Sequence, residues 1–481
     1  MAGGLPGNMS YPTSIQSHVA GLALRSGSRF AKINPATGSE LAIIERPRID
    51  DIGKCIQSAE QSSWPIVPIA ERARIVLKAV ETLRANKSNI AELLALESGR
   101  SVSHARKEID AAAACGQYLA EHARAILDEP LESFVPGRTL TLRHEPLGVG
   151  VLITPFNNPL AGIAWKLFPA LLSGNTAIIK AHELSPLMPH LIARELFDAG
   201  VDEHAITIVE GGVEHARALV KDSSIEFVSF TGSPQAGSSI VADTADRLLR
   251  VSIESGGKNP LVVCDDADID RAASAAVASA FIDAGQRCTA ASRIIVFSKI
   301  YESFRESFLI KVAALKVGIE DGDDYGAIIS EERLMGILSA IENATREDAT
   351  LLHGGKRINR PGYFIEPTVF ENAPLSSDLS QKEIFGPVVA LYRARDIDEA
   401  ISMANSTPYR LSSAIHTRDA LRAQLFARRY RGGVVRINGP TFGSEPHVPF
   451  GGEGLSGNGW REPGLAAFDF YTSLKQVSSD T

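Results

Sequence analysis

Cysteine is scarce in this chain: Cys55, Cys115, Cys264 and Cys288 are the only four in 481 residues. None forms a C-x-x-C pair, which excludes a disulfide-built scaffold and the usual zinc knuckles. The plain expectation for such cysteines is small buried hydrophobes in a reducing compartment. There is no H-E-x-x-H and no His-rich cluster, so no metal-ligand set is expected. No apolar run reaches the roughly 18 residues of a membrane-crossing helix, so no membrane partner is expected. The opening MAGGLPGNMS lacks the basic and apolar regions of a secretory signal. It is expected to be loosely held, and the expected address is the cytoplasm. Positive charge is in deficit as well, with 49 Lys and Arg against 57 Asp and Glu and a net charge of −8. That balance disfavours a nucleic-acid partner. Internal repeats and low-complexity tracts are missing, which excludes a solenoid.

What is present is ordinary globular composition, 44% hydrophobic and 22% charged, over a length sufficient for about three domain-sized units. Helical spacing of Ile75, Ala79, Leu83, Ile90, Leu93 and Leu94 predicts a helix over 70–97. An Ala-rich stretch predicts another over 103–127. Alternation then predicts a strand over 138–144. Short apolar strands follow at 148–153, 176–180, 206–209 and 226–230, with helices between them, which implies βαβ units and a parallel sheet. A second α/β block starts near 256. It has a helix from Asp268 to a stop at Gly285 and strands at 293–297, 388–392 and 433–437. The Gly-rich tail 446–464 reads as loop and 466–475 as a strand.

Several motifs offer chemistry, and each also has a plain structural reading. FTGSPQAG (230–237) ends a strand and opens a helix. Gly232, Ser233 and the helix N–H groups suit a pyrophosphate, while a simple N-cap is the alternative. IIKAHE (178–183) puts Lys180 and Glu183 at the carboxyl end of a strand, where open sheets bind ligands. They suit ribose hydroxyls, or they are a surface cation and a helix-start acid. Glu254 leaves an apolar strand into Gly-Gly, and partial desolvation would raise its pKa as a general base requires. Cys288 follows Arg287 in a helix-to-strand loop, an electropositive and partly exposed setting of the kind nucleophilic thiols occupy. Asn157 in TPFNNP (154–159) offers an amide donor for an oxyanion, though turns are rich in Asn.

Taken together, in order and spacing, these motifs resemble the aldehyde dehydrogenase superfamily from about residue 30 to 475. The 34-residue separation of Glu254 and Cys288 agrees, as do AWKL (164–167), ESGGK, GQRC, EIFGP (383–387), Asn438 and PFGGEGLSG (449–457). The resemblance implies an α/β fold with a Rossmann-type cofactor domain, an α/β catalytic domain and a small β oligomerisation arm. Residues 1–127 and 147–255 would bind cofactor, 256–446 would form the catalytic domain, 447–466 would return to the first, and 128–146 with 467–481 would form the arm. It implies NAD, with NADP possible, and a homodimer or homotetramer. Glu183 is expected to favour NAD by repelling a 2′-phosphate.

The resemblance also implies roles. Cys288 would attack an aldehyde, and Asn157 with the Cys288 N–H would hold the oxyanion. Hydride loss to the cofactor would leave a thioester, which water activated by Glu254 would hydrolyse. Lys166 would orient the oxyanion side and the cofactor ribose. Lys180 and Glu183 would hold the adenosine ribose, Gly232 and Ser233 the pyrophosphate, Glu383 the nicotinamide ribose, and Phe385 would pack on the nicotinamide. For the substrate, Arg287, Trp165 and His447 are candidates. Arg287 favours an anionic tail unless it pairs with Asp283, and Phe156 with Trp460 would favour an aryl group. The sequence departs from the family at Ala181-His182, Ser255 and the inserted Trp460. A CoA-acylating relative and a catalytically silent binding protein are the alternative readings.

Overall fold

The computed structural model describes residues 13–126 and 128–480. The predicted loose opening and the last residue of the predicted 103–127 helix lie outside them. Five strands form a parallel sheet in the order Arg250–Ser255, Phe227–Gly232, Val149–Ile153, Thr176–Lys180, Ile206–Val209. Their apolar runs are covered on both faces, as parallel sheets require. From the central strand Val149–Ile153 the chain first winds to one side, then returns to pair on the other with Phe227–Gly232. Such a reversal opens a crevice at the carboxyl ends of the strands, where ligands bind. Lys180, Gly232 and Glu254 all stand at that rim.

A second sheet has seven strands, in the order Thr350–His353, Thr368–Glu371, Val388–Ala394, Ala291–Phe297, Asn259–Val263, Ser412–His416, Val434–Ile437. All its pairs are parallel except the first. The two sheets are joined by the short passage from Ser255 to Asn259. Glu254 therefore ends one sheet where the other begins, and Cys288, just ahead of the strand Ala291–Phe297, faces the same junction from the second.

Helices Ile69–Ala85, Val102–Glu121 and Pro159–Leu172 pack together on the first sheet. Gly116 permits this closeness, since a Cβ there would stand 2.7 Å from the Phe168 ring. The predicted single helix over 70–97 is two helices, Ile69–Ala85 and Lys87–Ser98. The break falls at Asn86, whose amide is drawn to Glu195 at 3.2 Å. The helix predicted over 103–127 begins at Val102, after Ser101 caps it by accepting from the His104 N–H at 3.3 Å, and ends at Glu121.

The predicted 466–475 strand is a short helix, Ala467–Tyr471, followed by a strand, Thr472–Asp480. Arg250 holds that junction by donating to the carbonyls of Phe470 at 3.1 Å and Thr472 at 2.6 Å. Thr472–Asp480 pairs with Arg138–Pro146, which pairs with Glu129–Leu131. The largely exposed ribbon thus has three strands instead of the two expected. Strands Ser14–Gln16, Ser26–Ile33 and Glu40–Pro47 form a further small sheet that the sequence reading did not anticipate. Among the described residues no helix is long and apolar enough to cross a membrane.

Candidate active site

Glu254 closes the strand Arg250–Ser255 and is 5% exposed, yet neither carboxylate oxygen has a hydrogen-bond partner. Burial pushes the carboxyl well above the usual carboxylate range. The charge of Glu462 adds to this, against the pull of Lys166 and Arg461. The Gly-rich tail is folded over it: Glu254 bridges Gly457, the Ser255 N–H donates to Ser456 O at 2.9 Å, and a Cβ on Gly451 would stand 2.5 Å from Glu254 Oε1.

Cys288 follows three residues in the left-handed region, Asp283 at φ 54°, Ala284 at 57° and Gly285 at 64°. That conformation is costly for the two that carry a Cβ, so the surroundings must hold it. Arg287 Nε donates to Asp283 at 2.5 Å, and Asn259 Nδ2 donates to the carbonyls of Cys288 at 2.7 Å and Ala290 at 2.9 Å. Thr441 Oγ1 fixes Thr289 O at 2.6 Å. The thiol is half-buried. Burial, then the charges of Glu383 and Glu254, push it up to about 12 against the opposing charge of Arg287. The expected electropositive setting is therefore corrected: carboxylates outweigh the one arginine, whose charge is shared with Asp283.

Asn157 Nδ2 donates to Gln286 O at 2.9 Å, which holds its amide beside the Cys288 loop. Its own carbonyl is gripped by Arg100, which also pairs with buried Glu108 at 2.8 Å. Lys166 differs from expectation. Its ammonium donates to Ser229 Oγ at 2.9 Å and to the two Glu462 oxygens at 3.1 and 3.0 Å, so its three protons are committed away from the oxyanion and the cofactor ribose. Glu462 was missed by sequence reasoning because its only signal is one acid in a Gly-rich tail.

Of the substrate candidates, Arg287 does pair with Asp283 and lies 4.9 Å from the Phe442 ring centre. Burial raises Asp283, but the charges of Arg287 and Arg100 with the Arg287 hydrogen bond outweigh it and hold the carboxyl at about 2. Trp165 is half-buried against Phe450, centroids 5.6 Å apart. His447 is exposed beside Tyr118. The aryl pocket of Phe156 and Trp460 does not form: Phe156 packs on His182 and Phe385, whereas Trp460 packs on Phe470.

A dinucleotide fits the remaining residues. Ser233 caps helix Pro234–Thr244 by accepting from the Ala236 N–H at 3.2 Å, and the exposed first turn presents the positive dipole end that suits an anionic diphosphate. Gly232 lies at the strand end below it. Glu383 accepts from the Gly257 N–H at 2.9 Å through Oε1 and leaves Oε2 unbonded. A Cβ at Gly256 would stand 1.8 Å from Oε2, so this approach requires glycine. Burial pushes Glu383 up to about 7 despite that bond and the charges of Lys258 and Arg333. Phe385 sits at φ 57° against Phe156. Lys180, also buried, donates to Ala181 O at 2.7 Å. Glu183 is not a free carboxylate: it is ion-paired with Arg46. The expected repulsion of a 2′-phosphate therefore loses its premise.

Residues 23–477 match the sequence model of the aldehyde dehydrogenase family. An alpha-ketoglutarate semialdehyde dehydrogenase of Haloferax volcanii is 36% identical over 461 residues, 94% of this chain and 96% of the relative. The solved structure of an NAD-dependent aldehyde dehydrogenase from Sinorhizobium meliloti superposes with a TM-score of 0.94 at 30% identity, covering 97% of this chain and 95% of that one. That of a Staphylococcus aureus betaine aldehyde dehydrogenase in complex with NAD+ gives 0.93 at 29% identity, with 97% and 94% covered.

Proposed function

The chain belongs to the aldehyde dehydrogenase family and oxidises an aldehyde with NAD(P), and on that premise we propose that Cys288 is its nucleophile and Glu254 its general base. The observation that carries this is the buried Glu254 carboxyl with both oxygens unbonded, facing the same junction as Cys288. Cys288 Sγ adds to the aldehyde carbon, which creates the alkoxide that an unreacted aldehyde lacks. The second Asn157 amide proton and the Cys288 N–H hold the oxygen. When bound, the nicotinamide supplies the two-electron acceptor. Cys288 then carries the acyl group as a thioester, and Glu254 takes a proton from the water that releases the carboxylate. Burial and the charge of Glu462 keep the Glu254 carboxyl basic, against the pull of Lys166. A base poised for water favours hydrolysis over transfer to CoA.

Lys180 and Glu183 would hold the adenosine ribose, Gly232 and Ser233 the pyrophosphate, Glu383 the nicotinamide ribose and Phe385 the nicotinamide ring. The cofactor domain comprises 1–127 and 147–255, the catalytic domain 256–446 with 447–466 returning, and the arm 128–146 with 467–481. The exposed edge of Thr472–Asp480 supports a homodimer or homotetramer, and four free cysteines support the cytoplasm.

The proposed substrate is an aldehyde with an anionic tail, a class that includes the semialdehydes named in the relatives. Arg287 Nε is held by Asp283, while its Nη groups bond no protein atom among the described residues and are presented for a carboxylate. Trp165 and His447 would flank the path. The test compares kcat/KM for an anionic aldehyde and its neutral isostere in wild type and Arg287→Leu. The anionic preference should fall about tenfold or more. An equal fall for both substrates would make Arg287 purely structural.

A further inference from the structure

Arg100 lies where three parts of the site meet. It follows the helix Lys87–Ser98 across Gly99, which turns at φ 72°. The turn is held to a distant segment, because Gly99 O accepts from the Ala327 N–H at 2.8 Å. A Cβ at Gly326 would stand 2.1 Å from that same oxygen, so this approach requires glycine. The Arg100 side chain is 8% exposed. Its Nη1 donates to Glu108 Oε2 at 2.8 Å and stands 3.9 Å from Asp283 Oδ1. Its Nη2 donates to the Asn157 carbonyl. Glu108 in turn accepts through Oε1 from the Leu160 and Ala161 N–H groups at 2.8 and 3.1 Å, in the first turn of the helix that follows Asn157.

Burying a guanidinium is costly unless carboxylates match it. Here two cations alternate with two carboxylates, and the series Glu108–Arg100–Asp283–Arg287 balances. It runs between the two loops that supply the oxyanion donors. Asn157 belongs to the loop after the strand Val149–Ile153, and Asp283 opens the left-handed turn that leads to Cys288. Two donors from separate loops stabilise one oxygen only if both lie within hydrogen-bond reach of it. The bond from Asn157 Nδ2 to Gln286 O ties the loops once, through the side chain. Arg100 ties them again, by a hydrogen bond to the Asn157 main chain and by charge to Asp283. Two ties remove the hinge that one would leave, and the planar fork of arginine serves both loops at once. We propose that Arg100 is a positioning residue that registers the Asn157 amide against the Cys288 N–H, so that aldehyde oxidation depends on it although it touches neither aldehyde nor cofactor. This rests on the assignment of Asn157 and Cys288 to the oxyanion.

Single-turnover mixing, with enzyme in excess over aldehyde and NAD+ saturating, gives a rate constant for NADH formation that does not depend on the fraction of enzyme folded. Arg100→Met should lower this constant about a hundredfold, the cost of misplacing a reacting group by about 1 Å. The Kd of NAD+, from quenching of protein fluorescence, should not change. Arg100→Lys, which can still reach Glu108 and the Asn157 carbonyl but lacks the fork, should recover part of the loss. Should Arg100→Met leave Glu108 too poorly matched for folding, Arg100→Met with Glu108→Gln removes both charges and keeps an acceptor for the Leu160 and Ala161 N–H groups; the same slowing is expected. Because Arg100 acts partly through the Asn157 amide, Arg100→Met should cost less in an Asn157→Ala background than in wild type. An unchanged rate constant in Arg100→Met, or costs that simply multiply with those of Asn157→Ala, would overturn the proposal. So would a matching loss of NAD+ affinity, which would make Arg100 purely structural. If Asn157→Ala is itself as fast as wild type, the oxyanion assignment fails and the proposal with it. If Asn157→Ala is slow while Arg100→Met is fast, only the role of Arg100 fails.

Discussion

The Cys288 thiol allows a quantitative test of the resting site. With its pKa pushed up to about 12, about one thiol in ten thousand is ionised at pH 8, against about a quarter for an unperturbed cysteine of pKa about 8.5. The more basic thiolate is also the better nucleophile. A Brønsted slope of about 0.45 over about 3.5 pH units returns a factor of about 40, leaving a net deficit on the order of 60-fold. The assay is the reaction of free enzyme with an aromatic disulfide, followed by released chromophore, with Cys288→Ser as blank. The other cysteines do not compete: Cys55, Cys115 and Cys264 are buried, and burial raises each thiol. The rate should rise about tenfold per pH unit from pH 6 to 10 with no plateau, because thiolate stays the minor form throughout. At pH above its raised pKa Glu254 is charged, and there Glu254→Gln removes one of the charges that suppress ionisation and should make the thiol react faster. A plateau between pH 7 and 9 would refute the reasoning, as would slower reaction in Glu254→Gln, which would make the carboxylate an activator of the thiol.

Glu254→Gln should retain a burst of NADH followed by slow turnover, because thioester formation precedes the water step; rapid-mixing absorbance would show a lost burst if Glu254 is needed earlier. Since burial and Glu462 raise the Glu254 pKa, deacylation should increase as pH rises through that value and fall below it, and Glu462→Gln should move this limb to lower pH. An unmoved limb would mean another group is the base. Sedimentation velocity at micromolar concentration should show a dimer or tetramer, and a stable monomer would refute the role assigned to the exposed Thr472–Asp480 edge.

Much of the scaffold was legible because parallel strands buried on both faces leave continuous apolar runs, as in VGVLI at 149–153 and ITIV at 206–209. The break at Asn86 and the helix at Ala467–Tyr471 were not legible, since each is decided by a distant partner, Glu195 and Arg250 respectively. The same division holds at the site. The identities and order of Asn157, Glu254 and Cys288 were written in local motifs, with turns and strand ends that short-range sequence encodes. The environments that set their chemistry were not. Glu462 acting on Glu254, the carboxylates that suppress the Cys288 thiol and Arg46 neutralising Glu183 all reach across long stretches of chain or between sheets, whereas the Asp283–Arg287 pair is local. By itself the sequence determined which groups are available and where the backbone turns. The tertiary structure decided which charges are buried together, because desolvation and Coulomb energies depend on distances through space that spacing along the chain does not specify.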